Sequence, residues 1–200
     1  MAVLALSIGA QADAAIVTYT NYAAWEAAVG GATYVHKEFF GDGTLEPWLD
    51  IDSDCNNLVP SCLTTDGLPA GVSGGLYHDR VSEDPDLTTR WLLDFDAPII
   101  GAGAFWDTSV AGEGVGITLL ANGNFVGSLD NLNFGQLDGG FFGFVSDTPF
   151  TLVRLDATFS GQETYDITEL DAAAVPEPGT LLLLGSGLTA IAMRRRRRNG

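Results

Sequence analysis

Val115-Gly116-Ile117-Thr118-Leu119-Leu120-Ala121-Asn122-Gly123-Asn124-Phe125-Val126-Gly127-Ser128-Leu129 reads as two β-strands joined by a tight turn. Asn-Gly is the pair that best accepts positive φ at both central positions of a type I′ turn, whose twist matches a hairpin. The flanking apolar and β-branched residues predict strands Val115–Ala121 and Phe125–Leu129. The same reading, carried outward, predicts strands Ile16–Thr20, Tyr34–Phe40, Trp91–Phe95 and Ile99–Asp107 before the hairpin. After it come Phe141–Ser146, Phe150–Phe159 and Tyr165–Leu170. Short strands separated by turn residues predict a mainly β chain folded as an antiparallel β-sandwich. One short N-terminal helix is expected, capped by Thr20 or Asn21 and ended by Gly30-Gly31, with Tyr22, Trp25 and Val29 on one face. Gly41 to Arg90 is acidic and poor in strand pattern, and is expected to be an extended loop insertion.

The chain has 200 residues, 26 of them acidic and nine basic, for a net charge of −17. Five of the nine basic residues are Arg194 to Arg198. Between Ile16 and Ala174 only Lys37, Arg80, Arg90 and Arg154 oppose all the acids but Asp13 and Glu177. Such a body repels phosphate backbones and anionic lipids, which excludes nucleic-acid binding and favours uncharged partners and divalent cations. Eleven Phe, four Trp and five Tyr argue for one packed domain, 15–174.

Both ends read as targeting segments. Met1 to Gly9 is mostly small and apolar, and Ala10-Gln11-Ala12 and Ala12-Asp13-Ala14 fit small-x-small cleavage sites. The first basic residue is Lys37, so residues 1–14 are expected to be a signal peptide truncated at its N-terminus. At the other end, Val175-Pro176-Glu177-Pro178-Gly179-Thr180 precedes an apolar stretch to Met193 and then the five arginines. The prolines cannot sit inside a helix, and the apolar stretch can form one. The arginines hold the chain end on the cytoplasmic side of a membrane. Gly179 to Met193 spans about 22 Å as a helix, against a hydrocarbon core of roughly 30 Å. A short C-terminal hydrophobic helix of this kind suits a temporary anchor.

Val175 to Thr180, the Leu181–Leu184 run and the Arg194–Arg198 block resemble the PEP-CTERM sorting tail of Gram-negative bacteria. The resemblance implies export, a transient stay in the inner membrane and processing by an exosortase near Pro176–Thr180. It also implies a destination at the cell surface or in the exopolysaccharide matrix of a biofilm. Gly139 to Thr151, Tyr165 to Leu170, Leu93 to Pro98 and Gly101 to Trp106 resemble the ectodomains of such proteins. That likeness implies a jelly-roll-like sandwich. Those relatives carry paired aspartates where this chain has Thr168 and Glu169, so no cation role is carried over there.

Cys55 and Cys62 are expected to form a disulfide closing a small loop, the default for an exported chain with two cysteines. Asp50, Asp52 and Asp54, with Asn56 and Asn57 behind them, suit the oxygen chemistry of Ca²⁺, although Cys55 and Ser61 rule out an EF-hand. The other reading is a solvated acidic loop, and no cofactor is required. Trp48, Trp91, Trp106 and Tyr77 could face sugar rings. Trp91 and Trp106 fit core strands better, which leaves Trp48, beside Pro47, as the candidate platform. His36 and His78 lack a nucleophile context, and neither GxSxG nor HExxH occurs. The expected function is that of a non-catalytic surface or matrix protein with weak glycan or calcium binding. The alternative is a secreted carbohydrate-active enzyme using paired carboxylates.

Overall fold

The computed structural model describes residues 15–31, 35–58, 62–64, 67–83, 86–95, 99–107, 117–129, 140–157 and 162–174. The expected signal peptide (1–14) and the sorting tail with its apolar helix (175–200) lie outside them. The elements in chain order are β1 (Ile16–Tyr19), α1 (Tyr22–Ala28), β2 (Val35–Glu38), β3 (Leu49–Ser53), α2 (Asp54–Asn57), β4 (Gly71–Ser73) and β5 (Leu76–Ser82). They continue with β6 (Thr89–Leu93), β7 (Ile99–Asp107), β8 (Ile117–Ala121), β9 (Asn124–Ser128), β10 (Gly140–Phe150), β11 (Leu152–Ala157) and β12 (Gln162–Ala174).

Two antiparallel sheets result, as the strand pattern predicts. Sheet one runs β1-β10-β7-β12-β5-β4, with β2 added beside β12; sheet two runs β3-β6-β11-β8-β9. The hairpin turn forms where expected, with Asn122 at φ 46° and Gly123 at φ 84°. β12 is the hub of sheet one. One edge pairs with β7, while the other pairs first with β5 (Gln162–Ile167) and then with β2 (Leu170–Ala173). β10 and β11 are separated by Thr151 alone and belong to different sheets, so the strand expected from Phe150 is divided there.

Alternation along the strands sends one set of side chains between the sheets. In β11, Val153 and Leu155 are buried in that core, whereas Arg154 and Asp156 are only partly buried. Trp91 from sheet two stacks on Trp106 from sheet one at 5.6 Å between centroids, and Trp106 meets Tyr165 at 5.5 Å. Tyr77 is buried in the same core and offers no face to a ligand.

Asp79 is fully buried between the sheets. Its Oδ1 accepts from Ser53 Oγ at 2.7 Å and from Arg80 N at 2.8 Å. Its Oδ2 accepts from the hydroxyls of Tyr77 (3.1 Å), Tyr165 (3.0 Å) and Thr89. Ser53 and Thr89 come from sheet two, and Tyr77 and Tyr165 from sheet one. A single carboxylate therefore joins the two layers.

A second, smaller core lies on the outer face of sheet one, beneath α1. Asn21 Oδ1 caps the helix by accepting from Ala24 N at 3.0 Å. Trp25 and Val29 pack there with Phe141 and Ala173, and Tyr22 joins them. A Cβ on Gly103 would stand 2.6 Å from Phe141 Cζ, and one on Gly101 2.8 Å from Val29 Cγ1. These glycines leave the flat space in which the ring and the helix settle.

The expectation for Gly41 to Arg90 needs correction. The segment contains β3, α2, β4, β5 and the start of β6. In β3, Leu49, Ile51 and Ser53 point inward while Asp50 is exposed, a period of two that the surrounding acids disguise. In β5 an aspartate holds a core position, which no rule of apolar alternation anticipates.

Candidate functional site

His36, Pro47, Trp48, Asp94 and Phe95 line an open groove of about 360 Å³. β2 carries His36 and ends at Glu38, a buried carboxylate. Glu38 Oε1 accepts from Phe40 N and Oε2 from Glu46 N, both at 2.6 Å. Those two bonds fix the turn that brings the chain back to Trp48, with Phe40 held at φ 56°. Leu49 N then bonds Glu46 O at 2.9 Å, and Asp94 N bonds Trp48 O at 2.8 Å, locking the start of β3 to the end of β6. Phe95 follows at once.

Three rings meet in the groove. Trp48 stacks on Phe95 at 5.0 Å with an interplanar angle of 28°. His36 lies 4.7 Å from Phe95 and 6.3 Å from Trp48. Trp48 is half-buried, and His36 and Asp94 are exposed. The arrangement offers an aromatic floor with a carboxylate and an imidazole at its rim, a combination suited to a small polyhydroxylated ligand. The sequence singled out Trp48. His36 comes from β2 and Asp94 and Phe95 from the segment after β6, and no local signal places them beside it.

Of the three aspartates, Asp50 and Asp52 lie in β3 and Asp54 opens α2. Asp52 Oδ2 accepts from Arg90 Nη1 at 3.1 Å, and its Oδ1 from Asn57 Nδ2 at 2.9 Å. Asp54 Oδ2 accepts from Thr88 N at 3.0 Å and Thr88 Oγ1 at 2.8 Å, and Arg90 Nη1 is 3.5 Å from its Oδ1. Burial raises the Asp54 pKa, but the Thr88 bonds and the Arg90 charge outweigh it and hold the carboxyl below its ordinary value. Asp50 stands exposed. Among the described residues no three His, Cys, Asp or Glu side chains gather as a metal site. Asp52 and Asp54 thus form an arginine-bridged pair, and the oxygen cage expected of calcium is not assembled from these three.

Cys55 and Cys62 form the expected disulfide, with Arg80 Nη2 3.1 Å from Cys62 Sγ. Both half-cystines are buried with Ala70 and Leu87 in a small cluster under α2. The bridge fastens this loop to the body and stands apart from the groove residues.

β12 ends at Ala174, where the tail begins. Residues 174–198 match the family model described as the PEP-CTERM protein-sorting motif. The chain carries a PEP-CTERM sorting signal. The motif implies export, a membrane-anchored sorting step and processing by exosortase. Val175, Pro176, Glu177, Pro178, Gly179 and Thr180, and Arg194, Arg195, Arg196, Arg197 and Arg198, all fall within the matched span but outside the described residues. Among the described residues no helix is long and apolar enough to cross a membrane. No curated protein matches the chain. Among solved structures, a two-domain protein of unknown function from Bacteroides fragilis aligns at 18% identity with a TM-score of 0.36. The alignment covers 64% of this chain and 43% of that one.

Proposed function

We propose that this exosortase-sorted protein is a non-catalytic component of the cell surface or extracellular matrix of a Gram-negative bacterium, and that its β-sandwich holds neutral exopolysaccharide weakly in the Trp48 groove. The observation that carries the reading is the stacked Trp48–Phe95 floor with Asp94 and His36 at its rim. Aromatic faces take the apolar faces of sugar rings, and the rim groups can exchange hydrogen bonds with hydroxyls. The strong negative charge disfavours acidic polymers and leaves neutral glycans as the fitting class.

Affinity electrophoresis of the full chain through gels containing neutral or acidic polysaccharides tests this. Retardation is expected in neutral gels, and Trp48→Ala should abolish it with a Tm change of at most a few degrees. Loss of retardation together with a large fall in Tm would assign Trp48 to packing alone. Release of reducing sugar from any of the polymers would overturn the non-catalytic reading.

A further inference from the structure

A lysine and two carboxylates meet on the outer face of sheet one, beside α1. Lys37 on β2 pairs directly opposite Asp171 on β12. Its Nζ stands 3.4 Å from Asp171 Oδ1 and donates a hydrogen bond to Glu169 Oε1. The rings of Tyr22 and Phe39, with centroids 4.6 Å and 5.7 Å from Nζ, bracket the amine. The Asp171 side chain is wholly buried, and neither of its oxygens receives a hydrogen bond. A buried carboxylate with one cation and no donor is a costly ion pair, because the remaining lone pairs have lost water for nothing. Burial, opposed by the Lys37 charge and assisted by that of Glu169, raises the Asp171 pKa to about 7. Near neutrality much of the carboxyl therefore carries a proton.

We propose that Lys37 and Asp171 condense into an intramolecular isopeptide bond, with Glu169 carrying the protons. Burial works against the Lys37 ammonium, but its bonds to Glu169 and Tyr22 and the nearby negative charges outweigh burial and hold it protonated. The reaction therefore starts with transfer of a proton from Nζ to Glu169, and bond formation is slow. The free amine attacks Cγ of the protonated Asp171 carboxyl. Glu169 returns its proton to the departing hydroxyl, which leaves as water, and then takes the remaining extra proton from nitrogen. The net change is one ammonium and one carboxylic acid giving one amide, one water and one proton. No oxidant or cofactor is needed. Fixing amine and carboxyl against each other converts a bimolecular condensation into an intramolecular one, where effective molarities reach about 10⁵–10⁸ M.

The position gives the bond a purpose. Asp171 lies near the C-terminal end of β12, just before the sorting tail. Force on a chain held by its tail enters β12 there, and a Lys37–Asp171 bond would pass it to β2 covalently. That purpose rests on the sorting reading; the chemistry does not.

The test is peptide mapping by mass spectrometry. Full chain made without exosortase is held at neutral pH, denatured, reduced and digested. A branched peptide is expected, joining the Lys37 and Asp171 segments and lighter by one water than its two arms together. Lys37→Arg and Asp171→Ala should yield only linear peptides. Glu169→Gln should also yield linear peptides while keeping the wild-type circular dichroism spectrum. Wild-type chain whose Lys37 is fully acetylated after denaturation would overturn the bond. A branched peptide undiminished in Glu169→Gln would overturn the role of Glu169.

Discussion

Asp79 shows how much one buried charge can organise. Its two oxygens take five donors, four of them hydroxyls drawn from both sheets. Asparagine at this position would set an NH₂ group against hydroxyls that are already donating, leaving buried donors without acceptors. We expect Asp79→Asn to cost about 3 kcal/mol, a fall in Tm of roughly 6–12 °C for a domain of this size. Burial raises the Asp79 pKa above the ordinary 3.8, although Thr89, Ser53, Arg80 and Tyr165 pull it back. The folded state therefore binds more protons than the unfolded chain above that value. This contribution makes stability fall as pH climbs from 3.8 toward the raised value. Urea titrations across that window should show a weaker pH dependence in Asp79→Asn than in wild type. Equal slopes in both proteins would remove Asp79 as the source.

At the scale of elements, the docking of α1 depends on missing side chains. Phe141 lies flat over Gly103 and Gly143, each of whose Cβ positions would be 2.6 Å from its Cζ. The helix then covers the ring through Trp25 and Tyr22, with Trp25 Nε1 bonded to Phe144 O at 3.0 Å. Gly103→Ala should displace Phe141 and cost about 1–3 kcal/mol as overpacking. Its specific mark would be a red shift of Trp fluorescence as α1 loosens and Trp25 gains water. A Tm unchanged in Gly103→Ala would show that the ring has room to move. Trp48 depends in a similar way on a turn rather than on its own strand, since Glu38 bonds the two backbone amides that aim it.

Across the whole molecule, β12 ends at Ala174, the residue at which the sorting match begins. In hosts with and without exosortase, the chain fused to a cleavable signal peptide should differ in mass. Loss of Arg194 to Arg198 is expected only where exosortase is present, as read by intact-mass spectrometry of the processed protein. Full-length chain in the membrane fraction of both hosts would show that the motif is not used.

The sequence by itself determined the sorting signal, the cysteine bridge, the hairpin at Asn122-Gly123, the helix face of α1 and the antiparallel β class. Each of these is local: a turn dipeptide, a cap, a spacing or an ordered run of residues carries its own physical cause. Three features did not read locally. Gly41 to Arg90 looked like a loop because its acids mask the alternation of β3 and because Asp79 occupies a core place in β5. Only the second sheet explains that place, by supplying Ser53 and Thr89 as donors. The groove around Trp48 was half legible, since the tryptophan could be named but its partners come from β2 and from the segment after β6. The pairing of Lys37 with Asp171 was not legible at all. It exists because β12 gives its last residues to β2 after leaving β5, and strand order of that kind is fixed by packing two sheets together, not by any stretch of chain.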